Sequence, residues 1–586
     1  MNKVDETATV EQGAEDERSQ GGRPAAGNGR QDGGKGIYGE SSRQTFSSQA
    51  RGEFLRMLES RTFDVLIVGG GITGCGVARD AAMRGLSVAL IERNDFASGT
   101  SGRSSRLVHG GLRYLEHGYL HLVFEASRER RILSRIAPHL VRPLSFTWPV
   151  YENARVSHWK LRLGLLLYDA LSLFRNAGGR RNLRPDDVAA LEPELRALGI
   201  QGGAMYYDAA TDDMRLTLAN ARSAAELGAA VANHLELREV LADGEFPRAV
   251  AVDTLTGATL RIAARVVVSA AGAWTNDVSR LVNSRDRASV RGTKGAHIAV
   301  PRDRVGNRGA LTLLSPIDGR VMFVIPSGHL TIIGTTDTAY DGPLDEARAT
   351  HADIGYLIRS ANSFFPAAHL SPSDVVAAWA GIRPLVASEA SDPSGTSREH
   401  AIKWITPAIL AITGGKLTTY RSMAAEAVDM VVRALGRKRI PNTTADVPLP
   451  GGGIGSLDDE LRAAETVVGD LTIAEHLVRA YGSEWREVWR LAEADRSLSL
   501  PVVEGLPYIH AELLHAASRE MPMTLSDVLI RRLHIAFETR DHGLAVAEPV
   551  ARRLAPVFGW NEERIMSELQ RYEADALAMF GVDGEQ

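Results

Sequence analysis

The chain of 586 residues carries 67 lysines and arginines against 72 aspartates and glutamates, a net charge of −5, and a single cysteine, Cys75. That length exceeds what one hydrophobic core accommodates and calls for roughly two or three domains. The charge balance supplies no field for nucleic acid, one cysteine excludes an intramolecular disulfide and a cysteine-built zinc site, and no metal is expected; a reducing cytoplasm suits this usage.

Residues 1–50 are rich in Gly, Ser, Glu, Gln and Arg and nearly lack large apolar side chains. They cannot bury enough surface to offset the entropy of ordering, so a disordered polar tail is expected over residues 1–60. It has no signal-peptide core, and no later stretch approaches the roughly twenty apolar residues of a membrane span.

From Phe63 to Glu92 the chain reads as strand, glycine turn, helix and second strand: Val65 to Val68, then Gly69, Gly71 and Gly74, then Glu92 eighteen residues beyond Gly74. This is the spacing of a dinucleotide cradle, in which the glycines permit a tight turn, close backbone approach to a pyrophosphate and close helix–sheet contact. The helix start offers unpaired N–H groups to phosphate, and Glu92 can accept hydrogen bonds from a ribose. A chance glycine-rich loop is the competing reading, and the agreement of four successive features argues against it. Cys75, just inside this helix, reads as a small packing residue rather than a reactive thiol.

Trp159 to Phe174, edged by Lys160, Arg162, Arg175, Arg180 and Arg181, mixes Trp, Leu and basic residues as interfacial helices do. An ordinary buried helix fits the same pattern. A second apolar strand, Val266 to Ala271, runs into Gly272, Ala273, Trp274 and Thr275. Gly292 to Asp337 then holds short strand-like runs (His297 to Val300, Met322 to Ile325, Thr331 to Gly334) between turn residues, which predicts an antiparallel sheet roofing the cofactor. A third strand, Ile409 to Thr413, runs into Gly414, Gly415 and Lys416, and Leu417 to Leu435 reads as a helix. Three strand-to-glycine exits point to one crevice.

Beyond residue 451 the pattern is helical. Leu525, Val528, Leu529, Leu533 and Phe537 form one apolar stripe, with Thr524 and Asp527 placed to cap its start. With Arg531 and Arg532 this stripe is a second candidate for a membrane-surface helix.

The run Gly99, Thr100, Ser101, then Ser104, Ser105, Arg106, Leu107, Val108, His109, Gly110, Gly111, Leu112, Arg113, Tyr114, Leu115, Glu116 resembles the signature of bacterial FAD-dependent glycerol-3-phosphate dehydrogenases. So do Ile333 to Asp337, Gly381 to Leu385 and Gly414 to Arg421. The likeness runs from about Phe63 to the end. It implies an α/β fold: a Rossmann-like FAD-binding domain (61–450) interleaved with an antiparallel-sheet substrate domain (about 150–200 and 290–400), then a C-terminal α-helical domain (451–586). It also implies FAD as cofactor, glycerol 3-phosphate as substrate and a quinone as acceptor, hence peripheral contact with the cytoplasmic face of the inner membrane. A homodimer is compatible with it. An oxidase passing electrons to oxygen and a non-catalytic flavin-binding regulatory protein are the alternatives.

The cofactor would be held by Gly69, Gly71, Gly74, Glu92, Thr100, Ser101, Ser104, Ser105, Gly272, Gly415, Lys416, Leu417 and Thr418. Arg383 and Arg398 suit the substrate phosphate, because a guanidinium fork matches phosphate oxygens two at a time; Arg113 and Tyr114 complete that pocket by the resemblance. Lys416, beside a helix start, would stabilise negative charge on the reduced flavin. His297 and His109 compete as the base that takes the hydroxyl proton, with His297 also lining the substrate roof. The sequence does not choose between them.

Overall fold

The three apolar runs that end in glycine lie side by side. Thr62–Val68 pairs in parallel with Thr259–Ser269, which pairs in parallel with Ile409–Gly414; Val88–Ile91 and Ala230–Ala232 extend the sheet on the other side. All five strands point the same way, so all three glycine exits open at one edge. The computed structural model describes residues 46–583 apart from 113–114, 116–117, 153, 173–177, 242–244, 283–289 and 387–398. Val65, Leu66 and Ile67 are fully buried, as a parallel sheet covered on both faces requires.

Glycines let the helices close on this sheet. A Cβ on Gly74 would run into the Gly69 carbonyl oxygen, backbone against backbone, and one on Gly76 would stand 2.6 Å from the ring of Tyr420 in the helix Tyr420–Ala434. Between them Cys75 is fully buried, its Sγ donating to the Gly70 carbonyl at 3.3 Å, and burial pushes its thiol pKa well up. It is the packing residue expected.

The tail does not reach residue 60. Phe46 is buried against Phe96, and Arg51–Ser60 is a helix that turns Phe54 and Leu58 into the core. Buried Arg51 bonds both oxygens of Asp253 at 3.1 Å and the Asn233 carbonyl. Phe54 and Leu58, with Leu55 and Met57 packed beside them, and one buried ion pair hold this helix, a short signal that the polar composition before it obscures.

Above the strand edge lies a second, mostly antiparallel sheet. Val290–Pro301 pairs with Leu330–Gly334, which pairs with Val321–Ser327 and on through Ala310–Leu314 to Val141–Tyr151 and Ile200–Thr211. On its other side Val290–Pro301 pairs with Ala377–Val386, which sets His297 opposite Trp379 and Thr293 opposite Arg383. The three short runs expected between Gly292 and Asp337 are strands of this sheet.

Helices occupy most of 457–580. Thr524 and Asp527 cap each other's backbone as expected: Asp527 N donates to Thr524 Oγ1 at 3.2 Å and Thr524 N to Asp527 Oδ2 at 3.0 Å. The stripe they begin is not one regular helix, since Asp527–Arg532 is wound as a π-helix and His534 is left-handed at φ 54° before Ile535–Glu538. The wider winding lets two consecutive arginines reach one carboxylate, with Arg531 Nε 2.8 Å and Arg532 Nη1 2.5 Å from Asp95 Oδ2. Asp95, four residues past Ile91, is fully buried, and His234 joins the knot through Asp527 at 2.9 Å. As a membrane-surface candidate this stripe fails: Leu525, Val528, Leu529 and Leu533 are fully buried and their arginines are spent on carboxylates. Among the described residues no helix is long and apolar enough to cross a membrane.

Candidate active site

One cavity of about 950 Å³ lies between the strand edge and the roof. Gly69, Gly71, Glu92, Thr100, Ser101, Ser104, Ser105, Gly272, Gly415, Lys416, Leu417 and Thr418 line it, together with His109, His297 and Arg383. Gly74 lies beneath, in the helix–sheet contact. Arg113, Tyr114 and Arg398 lie outside the described residues.

At the cradle, the backbone of Gly71 is extended and the nearest protein atom to a Cβ there would be Ser101 Oγ at 3.1 Å. A side chain at 71 would therefore project into the cavity, in the space a pyrophosphate needs. Ser101 Oγ accepts from Ile72 N at 2.9 Å, which sets a hydroxyl at the helix start, and Thr100 Oγ1 donates to the Ile382 carbonyl at 2.7 Å. Glu92 accepts from Gly70 N at 2.6 Å and Asn94 N at 2.9 Å, one on each oxygen, so it shapes the loop and keeps a second lone pair per oxygen for a ribose hydroxyl. Burial raises its pKa despite those bonds. Trp274, overlain by Arg93 at 4.8 Å, adds a flat wall suited to a ring system. The donor set and the open cradle fit FAD.

Of the serine-rich loop, Ser104 and Ser105 are engaged within the protein. Ser104 Oγ donates to Asp213 at 2.6 Å, and Ser105 Oγ lies 2.8 Å from His297 Nε2. Both line the cavity, with one hydroxyl anchoring the loop and the other facing a histidine.

His297 is 3% exposed and stacks on Trp379 with ring centroids 5.4 Å apart. Burial, then the Arg383 and Arg106 cations, pull its pKa down to about 3, so the ring is neutral at working pH. His109 is held by its backbone, the amide N–H donating to Thr418 Oγ1 at 3.2 Å and the carbonyl accepting from the same hydroxyl at 3.3 Å. Arg383 donates through Nη2 to Thr335 Oγ1 at 2.9 Å and through Nη1 to Asp337 Oδ1 at 3.1 Å. Thr335 and Asp337 belong to a motif read in the sequence, yet their part in holding Arg383 shows only in the strand pairing. Lys416 follows two left-handed glycines, Gly414 at φ 71° and Gly415 at φ 84°, and precedes the turn Leu417–Thr419 that opens the helix Tyr420–Ala434. A Cβ on Gly415 would collide with Met423, so the lysine is delivered to the cavity by a turn that tolerates only glycine.

Residues 64–421 match the family model for FAD dependent oxidoreductases, and residues 442–565 match that for the C-terminal domain of alpha-glycerophosphate oxidase. The chain is 39% identical to glycerol-3-phosphate dehydrogenase 2 of Mycobacterium tuberculosis, over 89% of each chain. It is 34% identical to the aerobic glycerol-3-phosphate dehydrogenase of Staphylococcus haemolyticus, over 85% of this chain and 92% of that one. Its fold superposes on the Bacillus halodurans glycerol-3-phosphate dehydrogenase complexed with FAD with a TM-score of 0.76 at 30% identity, covering 92% of this chain and all of that one. A chain matched over more than half its length by one family model, and this similar to dehydrogenases of one kind nearly end to end, belongs to the FAD-dependent oxidoreductases, among the glycerol-3-phosphate dehydrogenases.

Proposed function

We propose that the protein oxidises sn-glycerol 3-phosphate to dihydroxyacetone phosphate with FAD and passes the electrons to a quinone. The observation that carries this reading is the cavity that runs from the dinucleotide cradle to Arg383 and His297, in a chain whose relatives bear the name of that activity. When bound, FAD accepts the hydride from C2 of the substrate. Arg383 holds the phosphate, its fork braced by Thr335 and Asp337. Arg398, Arg113 and Tyr114, outside the described residues, are further phosphate candidates by the resemblance alone. Lys416 offsets the negative charge of the reduced ring. His297 serves as the base: its ring is neutral and its Nε2 meets a hydroxyl in the cavity. A dianionic phosphate on Arg383 offsets one of the cations that weaken this base, so His297 gains proton affinity when the correct substrate is in place.

Anaerobic addition of glycerol 3-phosphate to the purified holoenzyme is expected to bleach the visible flavin band, whereas glycerol, which lacks the phosphate, leaves it intact. A short-chain quinone should then restore the colour faster than dissolved oxygen. A flavin unmoved by glycerol 3-phosphate removes the activity; recovery faster with oxygen converts the reading to an oxidase.

Contact with the membrane surface is part of the same proposal. In the helix His158–Leu171, Leu161, Leu165 and Tyr168 are buried, while Trp159 (64% exposed), Leu163 (59%), Leu166 and Leu167 share the opposite, exposed face beside Lys160 and Arg162. Exposed Leu120 and Phe124 belong to the helix Leu120–Ile136, which packs beside it. Arg180 turns to Asp169 at 2.8 Å instead, and Arg175 lies outside the described residues. An apolar face with basic flanks suits an anionic bilayer surface. Trp159→Ser combined with Leu163→Ser should abolish co-sedimentation with anionic phospholipid vesicles and leave soluble turnover intact; unchanged sedimentation would move the contact elsewhere.

A further inference from the structure

We propose that the Ser105 hydroxyl is the conduit through which the substrate's proton reaches His297. This rests on His297 being the base, and it names a residue whose part in the reaction is separate from holding the cofactor. The ring has only one usable nitrogen. Its Nδ1 is buried without a hydrogen-bond partner, one face lies on Trp379, and the backbone of Gly334 packs so closely on the Cδ2 edge that a Cβ there would overlap it. That leaves Nε2, and Ser105 Oγ stands on it at 2.8 Å while itself lining the cavity. Ser105 is also fixed in place: its neighbour Ser104 is bonded to buried Asp213 through both Oγ, at 2.6 Å, and N, at 3.2 Å.

The conduit requires the tautomer with its proton on Nδ1, in which Nε2 accepts from the Ser105 hydroxyl. As the C2 hydride leaves, the substrate O–H bond breaks and its electron pair becomes the second bond of the new carbonyl. The released proton forms an O–H bond at Ser105, and the proton already on Ser105 passes to Nε2. One proton enters the serine and one leaves it, so the serine is unchanged and the histidine is protonated. Two cations face the ring, Arg106 from the serine loop and Arg383 from the strand Ala377–Val386, and no carboxylate is bonded to Nδ1. The imidazolium is therefore short-lived, and the same hydroxyl returns its proton to the cavity.

The test is anaerobic rapid-mixing reduction of the FAD-loaded full-length protein by glycerol 3-phosphate, in H₂O and D₂O, for wild type, Ser105→Ala, Ser105→Thr, His297→Asn and the Ser105→Ala/His297→Asn double variant. Ser105→Ala is expected to retain FAD and substrate affinity but to reduce its flavin about a hundredfold more slowly, the lower end of general acid–base effects. Its solvent isotope effect should report one proton in flight where the wild type reports two. Ser105→Thr, which keeps the hydroxyl, should recover most of the rate, and the double variant should be no slower than the slower single variant. Wild-type rate and isotope effect in Ser105→Ala would overturn the conduit, as would a threonine variant no faster than the alanine one. A wild type that glycerol 3-phosphate does not bleach sinks the underlying activity instead, and a His297→Asn variant at full rate sinks His297 as base.

Discussion

Gly71→Val is expected to yield a folded protein that carries no FAD. The protein around Gly71 leaves room for a side chain, since only Ser101 Oγ, at 3.1 Å, would touch a Cβ there. The conflict is with the pyrophosphate, which must approach the backbone where the valine methyl groups would stand. Gly74→Ala separates the two duties of the motif. Its methyl group would meet the Gly69 carbonyl, and no rotamer relieves a clash between backbone atoms, so the helix Ile72–Met83 must lift from the sheet. Overpacking of this kind costs about 1–3 kcal/mol or more. Flavin absorbance per protein after incubation with excess FAD, read beside thermal unfolding of the flavin-free proteins, distinguishes the variants. Gly71→Val should lose the flavin at an unchanged midpoint, and Gly74→Ala should lose flavin and midpoint together. Comparing flavin-free forms removes the stabilisation that bound cofactor adds by mass action. Full flavin occupancy in Gly71→Val would take the pyrophosphate out of this loop.

Arg383→Ala should leave FAD in place and lower kcat/KM for glycerol 3-phosphate roughly a hundredfold, the equivalent of about 3 kcal/mol for charge-assisted hydrogen bonds to a phosphate. The loss should fall mainly on KM, because the phosphate contact is made in ground state and transition state alike. Asp337 adds to it: with the Arg383 guanidinium gone, that carboxylate loses the ion pair at 3.1 Å and repels the incoming dianion more strongly. Arg383→Lys restores the charge but not the fork and should recover only part of the affinity. Removing Arg383 also takes away one of the cations that hold His297 down, so residual turnover should be limited by binding rather than by the base. Steady-state kinetics on flavin-replete variants checks this, and near-normal KM in Arg383→Ala would remove it from the phosphate site.

The cradle and the crevice were legible because parallel strands buried on both faces read as unbroken apolar runs, and the glycines that end them carry their own geometry. Val65 to Val68, Val266 to Ala271 and Ile409 to Thr413 became neighbours in one sheet for that reason. The thiol of Cys75 and the cap formed by Thr524 and Asp527 were likewise local matters. What stayed hidden depends on partners far along the chain. Ser105 meets His297 across 192 positions, and Asp337 meets Arg383 across 46, so neither pairing has a spacing to read. The two Leu- and Arg-bearing stripes show the limit of pattern most plainly. The helix at 158–171 has apolar residues on two faces and can bury only one. The stripe at 525–537 has one apolar face, and its arginines meet a buried aspartate that composition could not reveal.

That aspartate has a consequence for how the molecule can be divided. Asp95 lies four residues past the strand Val88–Ile91 and three past Glu92, and its counter-ions come from residues 531 and 532. A protein truncated near residue 450 would keep every described cavity residue named above as a candidate, yet Asp95 would lose both guanidinium partners and keep only the Asn233 amide, at 2.9 Å. The nucleotide half is therefore expected to detach poorly as a module, because the far end of the chain supplies the counter-charges for a residue that follows the second strand of its cradle.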